Sequence, residues 1–175
     1  MRKYAVAALV LAGSLLCGGG SAAEGTPAAD LDPVLKKLGI LVGGKWVTER
    51  KSPSGVPFAE TSWTWAPDGK SLIASGIIGQ GTAKPVHGTA RIGWDPVAKK
   101  VYYLDNHGSE TVYFGHVRLE GEELVFEFKT IVGTPGDWMI RESYPDRDTM
   151  KSRFQRVVDG KPSGEPFNID FKRVP

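Results

Sequence analysis

The chain has 175 residues, 22 of them basic and 20 acidic, for a formal charge of +2. That length suits one domain, and so balanced a charge leaves no electrostatic footprint for nucleic acid or an anionic membrane. The single cysteine, Cys17, excludes a disulfide framework within the chain and a cysteine-built zinc site.

Arg2 and Lys3 precede an apolar run from Ala5 to Leu16, and small residues follow from Gly18 to Ala23. This layout predicts a secretory signal peptide over residues 1–23, cut before Glu24 after Ser21-Ala22-Ala23. The run is too short to span a bilayer as a helix, and nothing after it would do so. The alternative is lipid anchoring at Cys17, although Ser14-Leu15-Leu16 is a poor lipobox because the residue before the cysteine is normally small. Loss of the leader removes Arg2 and Lys3, so the mature chain carries no net charge. The expected location is the periplasm or the outside of the cell.

Residues 24–30 are small, polar and Pro-containing, and read as a flexible lead-in. The domain proper spans 31–175. Apolar residues at 31, 34, 35, 38, 41 and 42 predict a short amphipathic helix over Leu31–Val42, begun by Asp32-Pro33 and stopped by Gly43-Gly44. It is expected to plug one end of a sheet with Leu35, Leu38 and Leu41.

Beyond Gly44 the helical period disappears. Stretches rich in Val, Ile, Thr, Trp, Tyr and Phe predict strands near Lys45–Arg50, Phe58–Ala66, Ser71–Ile78, Val86–Trp94 and Lys100–Asn106. Five more are predicted near Glu110–Arg118, Glu123–Ile131, Trp138–Tyr144, Thr149–Val158 and Pro166–Arg173. Turn formers punctuate them, among them Pro67-Asp68-Gly69, Asp95-Pro96, Glu120-Gly121 and Asp159-Gly160. Leu124, Phe126 and Phe128 alternate with Val125, Glu127 and Lys129, as strands with one buried face require. With short turns and no crossover helices the sheet must be antiparallel. Long strands in up-and-down order close into a barrel, which removes exposed edges; a two-sheet sandwich is the alternative. The predicted class is therefore all-β: an antiparallel up-and-down barrel of about ten strands, one end closed by the N-terminal helix.

Three motifs carry a resemblance. They are Leu38-x-x-Leu41-Val42-Gly43-Gly44-x-Trp46, then Trp65-x-x-Asp68-Gly69-x-x-Leu72, then Ile92-Gly93-Trp94-Asp95-Pro96. In this order they resemble the lipocalin-like, or calycin, barrels, above all uncharacterised bacterial lipocalin-like domains, over Leu31 to Val174. The resemblance implies a barrel of eight or ten strands around one cavity, and no defined reaction. It also implies that Trp46 is structural and sits at the closed end beneath a basic residue of the last strand, Arg173 or, by the other parity, Lys172. Gly44 would permit the close turn into the first strand. A haem-binding branch, similar to nitrobindin, uses a histidine near the C-terminus. Here Phe154 to Pro175 has none, and Thr48 replaces the second Gly of that branch's Gly-x-Trp-x-Gly start.

The chain lacks Gly-x-Ser-x-Gly, a Walker loop and a dinucleotide fingerprint. Asp105-Asn106-His107-Gly108-Ser109-Glu110 offers acid, base and nucleophile, yet reads first as a hairpin turn. His87 and His116 lie on separate predicted strands without metal-ligand spacing. No metal, haem, nucleotide or other cofactor is expected. Of the carboxylates, Glu110, Glu142, Asp146 and Asp148 are candidates for a catalytic pair, but so many acidic residues on a solvated barrel meet by chance. Arg141-Glu142 reads either as a solvent-facing ion pair or, with Tyr144, as an inward polar group.

The expected function is to hold a small, largely apolar ligand inside the barrel. Its walls would be Trp63, Trp65, Tyr103, Tyr113, Phe126, Phe128 and Phe154, with space left by Gly76, Gly88, Ala90 and Gly115. Arg141 and Tyr144 would orient the ligand, and the mouth would lie away from the helix. The alternatives are a hydrolase or isomerase with polar residues at the barrel mouth, and an accessory module acting through its surface.

Overall fold

A computed structural model describes residues 25–175. The expected signal peptide, its cleavage site and Cys17 lie outside the described residues. The chain forms α1 (Pro33–Leu38), a 3-10 turn (Gly39–Leu41) and ten strands. The strands are β1 (Lys45–Thr48), β2 (Ala59–Trp65), β3 (Ser71–Ile78), β4 (Val86–Asp95) and β5 (Lys100–His107). The second half holds β6 (Thr111–Glu120), β7 (Glu123–Val132), β8 (Asp137–Asp146), β9 (Thr149–Val158) and β10 (Lys161–Val174). Each strand pairs antiparallel with its chain neighbours, and β10 pairs with β1 to close the barrel. The expected all-β closed barrel with one N-terminal helix is the observed fold, and the sandwich is excluded.

The helix is shorter than its apolar period suggests. Asp32 caps it by accepting a 2.8 Å hydrogen bond from the Val34 amide, and Pro33 occupies the first turn, where a missing N–H costs nothing. At Gly39, a weak helix former, the chain tightens into the 3-10 turn. Leu35, Leu38 and Leu41 are all buried, packed with Trp46, Trp65, Leu72 and Leu124 at one end of the barrel. The segment before α1 is not a loose lead-in. The Gly25 amide donates to the Trp65 carbonyl (3.2 Å) and the Ala28 amide to the Gly69 carbonyl (3.0 Å), tying the segment to the β2–β3 turn. Small side chains permit that approach, since a Cβ at Gly25 would stand 1.9 Å from the Ala66 carbonyl oxygen.

Strand ends moved where turn chemistry misled. β5 runs one residue past its expected end at Asn106, to His107, and the turn falls on 108–110. β10 begins at Lys161, directly after a tight turn in which Asp159 (φ 50°) and Gly160 (φ 73°) both take the left-handed conformation that two-residue hairpins need. Its register then slips between Ser163 and Phe167, around Gly164 and Pro166.

Gly115 has a specific place in the wall. It pairs with Tyr103 on one side and Phe128 on the other, and those two rings meet edge to face with centroids 5.5 Å apart. A Cβ there would lie 1.9 Å from the Glu127 carbonyl oxygen and 2.5 Å from the Phe128 Cα. Gly115→Ala is therefore expected to push β6 off β7 and cost about 1–3 kcal/mol, the usual range for overpacking. A urea titration checks this; an unchanged midpoint would mean that the strands yield freely.

Candidate functional site

Strand parity decides what enters the barrel. Inward positions are odd-numbered on β2, β5, β6 and β10, and even-numbered on β1, β3, β4, β7, β8 and β9. The inward side chains of the plugged end form the core. Toward the other end they enclose a cavity of about 340 Å³. It runs from Leu41 and Phe171 near the plug to Phe58, Val86 and Phe167 at the rim, so the mouth lies away from the helix. Ala74, Gly76, Gly88 and Ala90 form its low wall, and in register Ala74 faces Ala90 and Gly76 faces Gly88. The opposing aromatics thus find no side chain long enough to fill the gap.

Of the residues expected to wall a ligand site, Trp63, Tyr103, Tyr113, Phe126, Phe128 and Phe154 line this cavity. Tyr103, Phe126 and Phe128 pack edge to face, and Tyr113 extends the cluster to Phe128. Trp65 points inward like Trp63 but lies one layer deeper, buried beneath Gly39 in the core. Tyr144 also points inward below the cavity, with its ring edge to face against Trp46. Arg141 is displaced outright. It occupies the outer face of β8, where its guanidinium binds Glu120 at 2.6 Å and Glu123 at 3.2 Å. Since Glu142 faces inward, its neighbour must face out.

The structural trio meets at the plugged end. Trp46 is fully buried and donates from Nε1 to the Leu41 carbonyl at 2.9 Å. Arg173 pairs with it across β1 and β10, its guanidinium 4.6 Å from the ring centroid. The same guanidinium donates to the carbonyls of Ile40, Val42, Gly43 and Arg147. Gly44 has φ 72°, and a Cβ there would stand 2.5 Å from the Val174 carbonyl oxygen.

Two polar groups interrupt the apolar wall. The first is a ladder along β5. Tyr103, Asp105 and His107 alternate onto the inner face, the Tyr103 hydroxyl donating to Asp105 Oδ2 at 2.6 Å and His107 Nε2 reaching the same oxygen at 2.8 Å. The bond to Asp105 raises the His107 pKa against the opposing effect of burial. Burial, then Asp105, drives the Tyr103 hydroxyl well above its ordinary value, so it remains a donor. The second group lies deeper. Glu142 Oε2 accepts from the Tyr144 hydroxyl at 2.6 Å, and Oε1 accepts a long 3.4 Å bond from Ser152. Burial pushes the Glu142 carboxyl up to about 7, outweighing both hydroxyl donors.

Sequence reading missed Asp105 and His107 as cavity residues because Asn, His, Gly and Ser look like a turn. The signal present was the period-two spacing Tyr-x-Asp-x-His. Glu142 is among the candidate carboxylates of the sequence, but the ligand-orienting role was assigned to Arg141 and Tyr144 rather than to it. His87 and His116 lie on the outer faces of β4 and β6, with β5 between them, and do not meet. Glu110, Asp146 and Asp148 sit in or beside turns, away from Glu142. Among the described residues no three His, Cys, Asp or Glu side chains gather as a metal site requires, and no helix is long and apolar enough to cross a membrane.

Fold and site together define an antiparallel barrel with an internal, aromatic-walled chamber, an architecture consistent with a lipocalin-like fold. No protein-family model matches the chain, and a search of the curated proteins finds no match to it.

Proposed function

We propose that this is an exported, lipocalin-like binding protein that takes one small, largely apolar molecule into its barrel. The observation that carries the reading is the cavity of about 340 Å³, bounded by aromatic rings on one side and by alanine and glycine on the other. That volume matches the small end of ligand pockets, and apolar walls with a few placed polar groups are the usual composition of such sites. Export rests on the leader at residues 1–23, and the chemistry of the ligand's tail on Trp63, Phe126, Phe128 and Phe154.

The test is a panel of fatty acids, aromatics and isoprenoids read by thermal shift and by tryptophan fluorescence, since Trp63 and Trp138 both touch the cavity. A binder is expected, with affinity falling roughly ten-fold or more in Ala90→Phe, whose ring would occupy the cavity (about the effect of 1.4 kcal/mol). If nothing in the panel shifts the midpoint, the binding reading gives way to action through the surface.

An enzymatic reading has one observation behind it: His107, paired with Asp105, and Glu142 open on the same chamber, and both have raised proton affinity. Turnover of a bound panel compound, abolished by His107→Gln with binding retained, would favour an acid–base enzyme over a carrier.

A further inference from the structure

At its inner end the chamber's hydrogen-bonding groups are not balanced. The hydroxyl donors around Glu142 are already committed: Tyr103 to Asp105, and Tyr144 and Ser152 to Glu142 itself. Acceptor capacity is left over. Both bonds to Asp105 fall on Oδ2, and Glu142 Oε1 has only the 3.4 Å contact from Ser152. A carboxylate offers about four lone-pair sites, so most of Glu142 is unmet.

Charge is unbalanced in the same direction. Glu142 has no ion-pair partner among the described residues. The groups facing it are Tyr144 on its own strand, Ser152 on β9, Leu124 on β7 and the Tyr103 ring from β5. Arg173 on β10 is the cation packed near Tyr144, but its guanidinium is held over Trp46 by four carbonyls. The other cations of the chamber stand at its mouth. Arg50 lies 4.6 Å over the Phe58 ring and Arg156 lies 5.5 Å over Trp138, both at the rim. His107 is already paired with Asp105.

We propose that the ligand is a primary amine with an apolar tail, its ammonium group bound to the Glu142 carboxylate at the inner end of the chamber and its tail lying along the aromatic wall toward the mouth. This rests on the binding reading above and names its ligand class. An ammonium group brings three donors and one positive charge, the two things this end of the chamber lacks. A hydroxyl ligand would supply a donor but would leave a buried carboxylate without a counter-ion, which costs several kcal/mol and is avoided by staying protonated. The ring faces of the wall attract a cation as it passes. The rim arginines disfavour an ammonium held at the mouth, which sets the orientation of the bound ligand: amine inward, tail outward.

A proton follows from the same geometry. With its carboxyl titrating at about 7, Glu142 is close to half protonated in the empty protein at neutral pH. An ammonium ion at contact distance favours the charged form, so binding expels that proton. Affinity for an amine should therefore rise with pH through 7 and level off above it, until the amine itself loses its charge.

The test uses three probes of one shape, 4-phenylbutylamine, 4-phenylbutan-1-ol and 4-phenylbutanoic acid, titrated calorimetrically into the mature protein at pH 7 in two buffers of different ionisation enthalpy. The amine is expected to bind roughly ten-fold or more tighter than the alcohol, the range for a hydrogen bond to a charged group. It should release about half a proton, as the Glu142 value of about 7 requires. Glu142→Gln should erase both the preference and the proton release while the alcohol's affinity stays within a few-fold. Proton release by the unmutated protein keeps the test valid if the variant fails to fold. If the alcohol or the acid binds as tightly as the amine, or the amine binds without releasing a proton, the amine assignment is wrong and the binding reading stands. If none of the three binds and the broader panel also fails, the binding reading itself falls.

Discussion

Trp46→Ala will cost about 3–5 kcal/mol, the range for emptying a core site of a large aromatic. The residue is wholly buried, and several layers rest on it. Its ring carries the Arg173 guanidinium on one face and meets the edge of Tyr144, while its Nε1–H ties the Leu41 carbonyl of the plug to the first strand. Removing it opens a void, unlatches the 3-10 turn and leaves Arg173 without its stacking partner. Trp46→Phe separates these effects: it keeps a ring but leaves the Leu41 carbonyl unpaired, at a cost of about 1–3 kcal/mol. Urea unfolding at constant m-value measures both. The interpretation fails if the alanine variant loses less than the phenylalanine variant, since the ring would then not be a keystone of the closed end.

The place of that keystone came from the resemblance to lipocalin-like barrels carried by Gly43-Gly44-x-Trp46, which left Arg173 and Lys172 both open; the pairing of Trp46 with Arg173 across β1 and β10 decides between them. The barrel itself was legible in its turn formers at regular intervals and the period two between them. What did not show was depth. Trp63 and Trp65 share a face, as their spacing requires, yet one lines the chamber and the other supports the helix. Which of two inward residues meets a cavity depends on the stagger of the whole barrel, and no single strand encodes that. Parity on β8 was hidden differently. Met139 and Ile140 are both apolar and both buried, so the alternation that would have sent Arg141 outward and Glu142 inward was erased locally. On β5 the polar ladder of Asp105 and His107 was masked by residues whose local preferences favour a turn. Local preference yielded there to pairing with β4 and β6 on either side.

The buried carboxylate also gives the protein an unusual stability profile. Glu142 has an ordinary pKa of 4.5 in the unfolded chain and about 7 in the folded one. Between those values the native state holds a proton that the unfolded state has released, so stability falls as pH rises. The full span is on the order of 3 kcal/mol, reached by about pH 7. His107 acts in the same sense over a higher window: its folded value is raised above 6.5, so its contribution is complete below 6.5 and lost as pH climbs through the raised value. Asp95, Glu120, Glu122 and Asp146 act in the opposite sense, because their folded values are lowered and their contributions vanish only in strong acid. Stability should therefore peak on the acid side, near the ordinary carboxylate range, rather than at neutrality. Glu142→Gln removes the penalty while its side-chain carbonyl still accepts from Tyr144. The variant should match the parent near pH 4 and exceed it by up to about 3 kcal/mol at pH 8, with a flatter profile between. Chemical unfolding of both proteins from pH 4 to 8.5 decides the matter: parallel curves would mean that the carboxyl ionises freely in the chamber, and that the floor of the cavity is wetter than its apolar walls imply.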